Sequence, residues 1–247
     1  MNTPPRVLVV TPTYNERDNL PVLVRQVIAR GPEFSVLVVD DASPDGTGAI
    51  ADALAAEFPG RVQVMHRTGK RGLGRSYVDA LSQAVTMDVD IVCQMDADFS
   101  HDPQYLPALV QGVVEGGYDL VIGSRYLHGV SVVNWPLHRL FLSAFANRYI
   151  RFITSLSTSD CTSGYRCWRR ESLAKLPLRQ FVSDGYAFLV EMLFEAMGSG
   201  CRIGEVPIIY VERREGQSKM SKGVIMESIF VPWRLVARHP SWRGRRG

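Results

Sequence analysis

Two aspartates one residue apart, Asp96 and Asp98, close the apolar run that begins at Ile91. Hard carboxylate oxygens at that spacing suit Mg²⁺ or Mn²⁺ held against a diphosphate. Open α/β sheets bind their ligands at the carboxyl ends of strands, where this pair is expected to stand. A strand end followed by a plain turn accounts for the pair taken alone equally well, because Asp is common in turns. A second candidate is Arg67 to Arg75, where glycines, Lys70 and Arg71 precede a helix. Glycine permits close backbone approach and a helix start favours an anion, although a basic turn fits as well. This loop is not the dinucleotide fingerprint, since G-x-G-x-x-G is absent after the first strand. Arg125, at another strand end, suits a phosphate better than a surface role. The charged loop Glu212 to Lys219, with Arg213 and Lys219, is of the kind that closes over phosphates. Glu191 and Glu195 lie on an apolar helical stretch, lining the site or facing solvent.

The elements that position these groups follow from hydrophobic period. Val7-Leu8-Val9-Val10 reads as a strand, and Leu20, Leu23, Val24, Val27 and Ile28 as a helix stopped by Gly31-Pro32. Val36 to Val39 and the helix through Ile50, Leu54 and Phe58 repeat the unit, and Val62 to His66 is a third strand. A helix to Val85, the aspartate strand, a helix over Pro103 to Glu115 and a strand over Asp119 to Gly123 follow. Nearly continuous apolar strands alternating with helices predict a mostly parallel sheet covered on both faces. Val132 to Leu156 mixes Trp135, Phe141, Phe145 and Phe152 with Arg139, Arg148 and Arg151, fitting a helix on a membrane surface or one packed on the sheet. Cys161 to Trp168 reads as a small-residue turn, Ile203 to Val211 as a late strand, and Ile225 to Val236 as a helix that is either membrane-facing or core-facing.

At 247 residues the chain has room for one large domain with a full core. A net charge of +3 is too mild to imply nucleic acid. The stretch Arg238 to Arg246 carries four arginines and no acid, which suits an anionic lipid surface or a solvated tail. Cys93, Cys161, Cys167 and Cys201 lack paired C-x-x-C spacing, and the first residues lack a signal-peptide core, so a reduced cytoplasmic protein without structural zinc is expected. The longest apolar candidate, Leu140 to Leu156, is broken by Arg148 and Arg151 and suits lying on a bilayer better than crossing it.

Six ordered motifs permit a sharper reading. They are Pro12-Thr13-Tyr14-Asn15-Glu16, Asp40 to Thr47, Gly72-Leu73-Gly74, Met95 to His101, Gly123-Ser124-Arg125-Tyr126 and Gly216-Gln217-Ser218-Lys219. Over Arg6 to Lys219 the chain resembles the polyprenyl-phosphate (dolichyl-phosphate) mannose synthases of the inverting glycosyltransferase family 2. The resemblance implies a GT-A fold over residues 1–219, containing the candidate membrane-surface helix 139–156, followed by an amphipathic helix and basic tail over 220–247. It implies transfer of mannose from GDP-mannose to a polyprenyl monophosphate with Mg²⁺ or Mn²⁺, at the cytoplasmic face of a membrane. By the same resemblance Pro12, Tyr14, Glu16 and Asp41 hold the nucleoside, Asp96 and Asp98 hold the metal, and Lys70 and Ala97 belong to the nucleotide-sugar site. Arg213 and Lys219 match the loop that closes on the donor, and Arg125, Arg139 and Ser143 match the groups that receive the acceptor phosphate. Arg139 and Ser143, four apart, would share one helix face. Some relatives have Gln in place of Ser100, a better metal ligand, and many continue into transmembrane helices while others rely on a separate membrane-embedded subunit. A glucosyltransferase using UDP-glucose and a non-catalytic nucleotide-sugar-binding subunit are the rival readings.

Overall fold

The computed structural model describes residues 4–69, 72–183, 185–211 and 222–242, with only the backbone of 222–228. Seven strands form one sheet: β1 (Val7–Thr13), β2 (Phe34–Asp40), β3 (Val62–His66), β4 (Ile91–Gln94), β5 (Leu120–Ser124), β7 (Arg166–Arg169) and β8 (Ile203–Pro207), in the order β3-β2-β1-β4-β7-β5-β8. All neighbours are parallel except β7, which runs antiparallel between β4 and β5. A two-stranded ribbon, β6 (Val132–Val133) beside β9 (Tyr210–Val211), stands apart from it.

Period-two alternation divides the core between the two faces. Leu8, Val10, Val92 and Trp168 point to the side covered by α3 (Leu73–Ala84) and α7 (Gly185–Gly198). Val7, Val9, Cys93 and Cys167 point to the side covered by α1 (Leu20–Ile28), α2 (Thr47–Glu57) and α4 (Leu106–Val114). In α1 the predicted residues Leu20, Leu23, Val24, Val27 and Ile28 are all buried, the stripe that an amphipathic helix turns to a sheet. All four cysteines are buried and free, and burial pushes the Cys161 thiol up to about 12, so they act as small packing groups.

Three segments differ from the sequence-based expectation. The stretch read as a turn at Cys161 to Trp168 ends in β7, a four-residue strand too short to show a period. Its Arg166 is fully buried, held by the carbonyls of Ser163 (2.9 Å) and Cys161 (3.3 Å). The helix expected from Val132 is α5 (Leu137–Thr154): residues 132–133 pair with β9, and Pro136, extended at φ −61° and ψ 141°, sets the helix start. The single late strand is two, with Ile208 between them donating its N–H to Ser124 O.

The helix near the carboxyl end, α8 (Lys222–Arg238), packs on α5 and α7 and buries Val231 and Leu235 in the core, while Phe230 and Trp233 remain exposed. Its far end is clasped by α7. Glu191 and Glu195 are buried, facing neither solvent nor the aspartate loop, with Glu191 paired to Arg238 at 3.2 Å and Glu195 to His239 at 3.4 Å. One arginine of the basic tail is thereby tied to the fold.

Candidate functional site

The loops leaving β1, β2 and β4 meet at one edge of the sheet. Pro12 and Thr13 end β1, and the next residues are laced to the β2 loop: the N–H of Asn15 donates to Ser43 Oγ (3.1 Å) and that of Glu16 to Thr47 Oγ1 (3.0 Å). Glu16 also accepts from Asn19 Nδ2 at 2.8 Å. Asp41 is buried, ion-paired with Arg67 and bonded to Ser76 Oγ at 2.7 Å. Asn15, Ala42 and Phe99, one in each of the three loops, have φ of 62°, 53° and 61°. Left-handed backbone in non-glycine residues collects at functional sites because the surroundings must hold it.

The aspartate loop follows β4 directly. Asp98 and Ala97 are buried, and Asp98 Oδ1 accepts the N–H of Ser100 at 3.0 Å. Asp96 retains a quarter of its side-chain exposure, with the Tyr77 hydroxyl on Oδ1 at 3.1 Å. His101 is buried, stacks on Tyr165 with centroids 4.9 Å apart, and accepts the Asp96 N–H at Nδ1 (3.0 Å). Burial lowers its pKa despite the pull of Asp96 and Asp98, which keeps Nδ1 an acceptor. Burial and the Asp96 charge push the Tyr77 phenol well above its usual range, so its hydroxyl remains a donor. Among the described residues no group of three His, Cys, Asp or Glu gathers for a metal. Two carboxylates are what Mg²⁺ takes from a protein when substrate phosphate and water complete its shell, and the pair fits that use.

Beside this loop a cavity of about 210 Å³ opens between α5, α7 and α8. Its wall is mostly apolar, including Leu142, Phe145, Ile150, Val190 and Val231, but Arg125, Arg139 and Ser143 reach it together. The shared face predicted for Arg139 and Ser143 is therefore present. Trp135 lies under both guanidiniums, 4.4 Å from that of Arg139 and 5.6 Å from that of Arg125, and Tyr126 donates to Ser143 Oγ at 2.8 Å. Tyr210 joins the two halves: its ring is 5.4 Å from the Arg125 guanidinium and 6.0 Å from the His101 ring.

Arg125 is not a lone cation. Asp160 holds it through Nε at 2.6 Å and Nη2 at 2.7 Å, and Thr162 Oγ1 accepts from Nη2 at 2.8 Å. Burial opposes both charges, yet each partner outweighs it for the other: Asp160 is lowered and Arg125 raised, so the pair is ionised. Sequence reading missed Asp160, although it is the single acid between Asp119 and Glu171 in an arginine-rich stretch, and that isolation was its available signal. Tyr77 and Tyr210 carried no signal beyond being aromatic, while Tyr126 was marked only as part of the Gly123 to Tyr126 motif and Trp135 only as part of an arginine-rich apolar stretch. Lys70, Arg213 and Lys219 lie outside the described residues.

The family described as glycosyl transferase family 2 matches residues 8–176 of the chain. The chain is 46% identical over 241 residues to a polyprenol monophosphomannose synthase of Mycolicibacterium smegmatis, covering 97% of this chain and 91% of that one. It is 45% identical over 244 residues to an undecaprenyl-phosphate mannosyltransferase of Micrococcus luteus, covering 98% and 99%. Among solved structures, glucosyl-3-phosphoglycerate synthase from Mycobacterium tuberculosis with UDP superposes with a TM-score of 0.66 at 20% identity, over 95% of this chain and 80% of that one. The same enzyme with Mn²⁺, UDP and glucosyl-3-phosphoglycerate gives 0.64 at 19% identity, over 98% and 81%. The GT-A architecture expected from the sequence is the architecture found.

Proposed function

The chain belongs to glycosyl transferase family 2, and on that premise we propose that it moves mannose from GDP-mannose to a polyprenyl monophosphate, with inversion, using Mg²⁺ or Mn²⁺. Mannosyl transfer to a polyprenyl phosphate is the activity named for both close relatives. The observation that carries the reading is the cavity: an apolar wall that suits an isoprenoid, and two arginines with a serine that suit its phosphate, one tyrosine ring away from the aspartate loop.

Asp96 and Asp98 hold the cation on the donor diphosphate in this reading. A divalent ion held there would neutralise the charge that grows on the leaving group. Pro12, Tyr14, Glu16 and Asp41, on loops already hydrogen-bonded together, form the nucleoside side with Ala97, and Lys70, Arg213 and Lys219 add cationic cover. Arg139 and Ser143 orient the acceptor phosphate, and Arg125, fixed by Asp160, presents its remaining donors. A phosphate monoester has a second pKa of about 6 and needs no base at neutral pH. Its oxygen attacks the anomeric carbon, the bond to the diphosphate breaks, and the electron pair leaves with the nucleoside diphosphate. Attack opposite the leaving group inverts the sugar carbon.

Among the described residues no helix is long and apolar enough to cross a membrane. Phe141, Phe145 and Phe152 of α5 are about 70% exposed or more (70%, 68% and 77%), and Phe230 and Trp233 of α8 extend the same apolar character. With Arg148 and Arg151 exposed on α5, this surface suits peripheral docking on the cytoplasmic leaflet, or on a separate membrane-embedded subunit.

The test is turnover of GDP-mannose against UDP-glucose with a short polyprenyl phosphate and Mg²⁺ or Mn²⁺. Formation of a mannosyl phospholipid from GDP-mannose supports the reading. Preferential use of UDP-glucose replaces it with glucosyl transfer, and binding without turnover replaces it with a nucleotide-sugar-binding subunit.

A further inference from the structure

Tyr77 is the one fully buried phenol that touches the aspartate pair among the described residues. It stands on α3, its ring stacks on Phe188 of α7 with centroids 6.3 Å apart at 7°, and its hydroxyl donates to Asp96 Oδ1 at 3.1 Å. The backbone of Asp96 is pinned separately by His101, so the carboxylate is held at both ends of the residue.

We propose that Tyr77 determines which cation the site accepts, by occupying Asp96 Oδ1 and leaving Oδ2 as the oxygen offered to metal. A carboxylate held to one oxygen suits Mg²⁺ or Mn²⁺, which bind in a small octahedral shell at about 2.0–2.2 Å. Ca²⁺ is larger, takes about 6–8 oxygens and gains from carboxylates that chelate through both. Chelation by Asp96 would make Oδ1 share its lone pairs between the metal and a hydroxyl whose ring is wedged between helix and sheet. The hydroxyl acts through Asp96, so Tyr77 is a positioning residue; outer partners of this sort typically change metal affinity about 10–100-fold when removed.

This inference rests on the reading of Asp96 as a metal ligand, and the experiment separates the two. Calorimetry with the whole protein and GDP gives the affinities for Mg²⁺ and Ca²⁺. In Tyr77→Phe, which keeps the ring and its stacking, Mg²⁺ affinity should fall about tenfold while Ca²⁺ affinity holds or rises, narrowing the Mg²⁺/Ca²⁺ ratio by about tenfold. Phe188→Leu loosens the same packing without touching the hydroxyl and should retain the wild-type ratio. A phenol made a stronger donor, 3-fluorotyrosine at position 77, should widen the ratio, and this arm does not depend on the Phe variant folding. Equal losses for both cations, or an unchanged ratio in Tyr77→Phe, would overturn the role given to Tyr77. A wild type that binds neither cation with GDP would overturn the metal assignment of Asp96 itself, and this inference with it.

Discussion

At the carboxyl ends of β1, β2 and β4 the polar groups are tied to one another: Asn15 to Ser43, Glu16 to Thr47, Asp41 to Arg67 and Ser76, Asp96 to Tyr77 and His101. In the cavity between α5, α7 and α8 two guanidiniums lie against Trp135 and the rest of the wall is largely apolar. The first region is set up to receive charge. Its donors and carboxylates are already oriented, so little reorganisation opposes the charge that develops during transfer. On the proposed reading the second accepts a charged head and an apolar tail together, and it combines side chains from helices far apart in the chain. With donor and acceptor assigned to these regions as proposed, the difference teaches that the two can be damaged independently, except where Tyr210 and Arg125 join them.

The largest effect is expected on the donor side. Asp98→Ala should reduce transfer by at least about a thousandfold and remove metal-dependent GDP binding, with an unchanged melting curve. Calorimetry with GDP and Mg²⁺ is the check, and undiminished binding would take Asp98 out of the metal site.

Asp160→Ala tests whether the acceptor side depends on a buried pair. Stranding the Arg125 charge should cost about 3–5 kcal/mol of stability, read from denaturant unfolding. Asp160 is lowered in the folded state, so its contribution is present above the unfolded value near ~3.9 and lost as pH falls through the folded value. The difference between wild type and Asp160→Asn should therefore shrink in strong acid and be full at neutral pH.

Arg139→Ala should raise the acceptor KM by about 10–100-fold, the worth of a hydrogen bond to a charged group, and leave the donor KM nearly unchanged. Equal damage to both constants would erase the division between the two regions. Replacing Phe141 and Phe152 by Ser should lower liposome flotation several-fold, on the order of 1 kcal/mol per buried ring edge, with little change toward a short, soluble acceptor. High salt should weaken the remaining binding and anionic lipid strengthen it.

The smallest effect is expected from Glu191→Gln. Glu191 accepts the Ser183 N–H and pairs with Arg238, so its replacement should loosen α8 without moving the pH profile of transfer. That profile should rise through the second ionisation of the bound acceptor phosphate, below its value of about 6 in water because nearby arginines favour the dianion. Loss of the acidic limb in Glu191→Gln would show that the protein supplies a base.

The donor half was the more legible in the sequence. Strand, loop and helix repeat within each unit, so the residues that meet at the sheet edge announce themselves locally by period and by turn chemistry. Asp96 and Asp98 stand at the end of β4 for that reason. The acceptor half was partly legible, since Arg139 and Ser143 share a turn of one helix. Asp160, Trp135, Tyr126 and Tyr210 come from separate segments, and no short window relates them. The strand at Arg166–Arg169 escaped for a similar cause: its identity comes from the two neighbours it pairs with, not from its own four residues.

By itself the sequence determined the alternation of strands and helices, the placement of two carboxylates at a strand end, and an arginine-rich apolar helix, because each depends on contacts within a few residues. Tertiary structure alone decided that Asp160 holds Arg125, that Tyr77 occupies one oxygen of Asp96, and that α8 is both core and cavity wall. These are contacts across the sheet and between helices, and their partners are chosen by packing rather than by proximity along the chain.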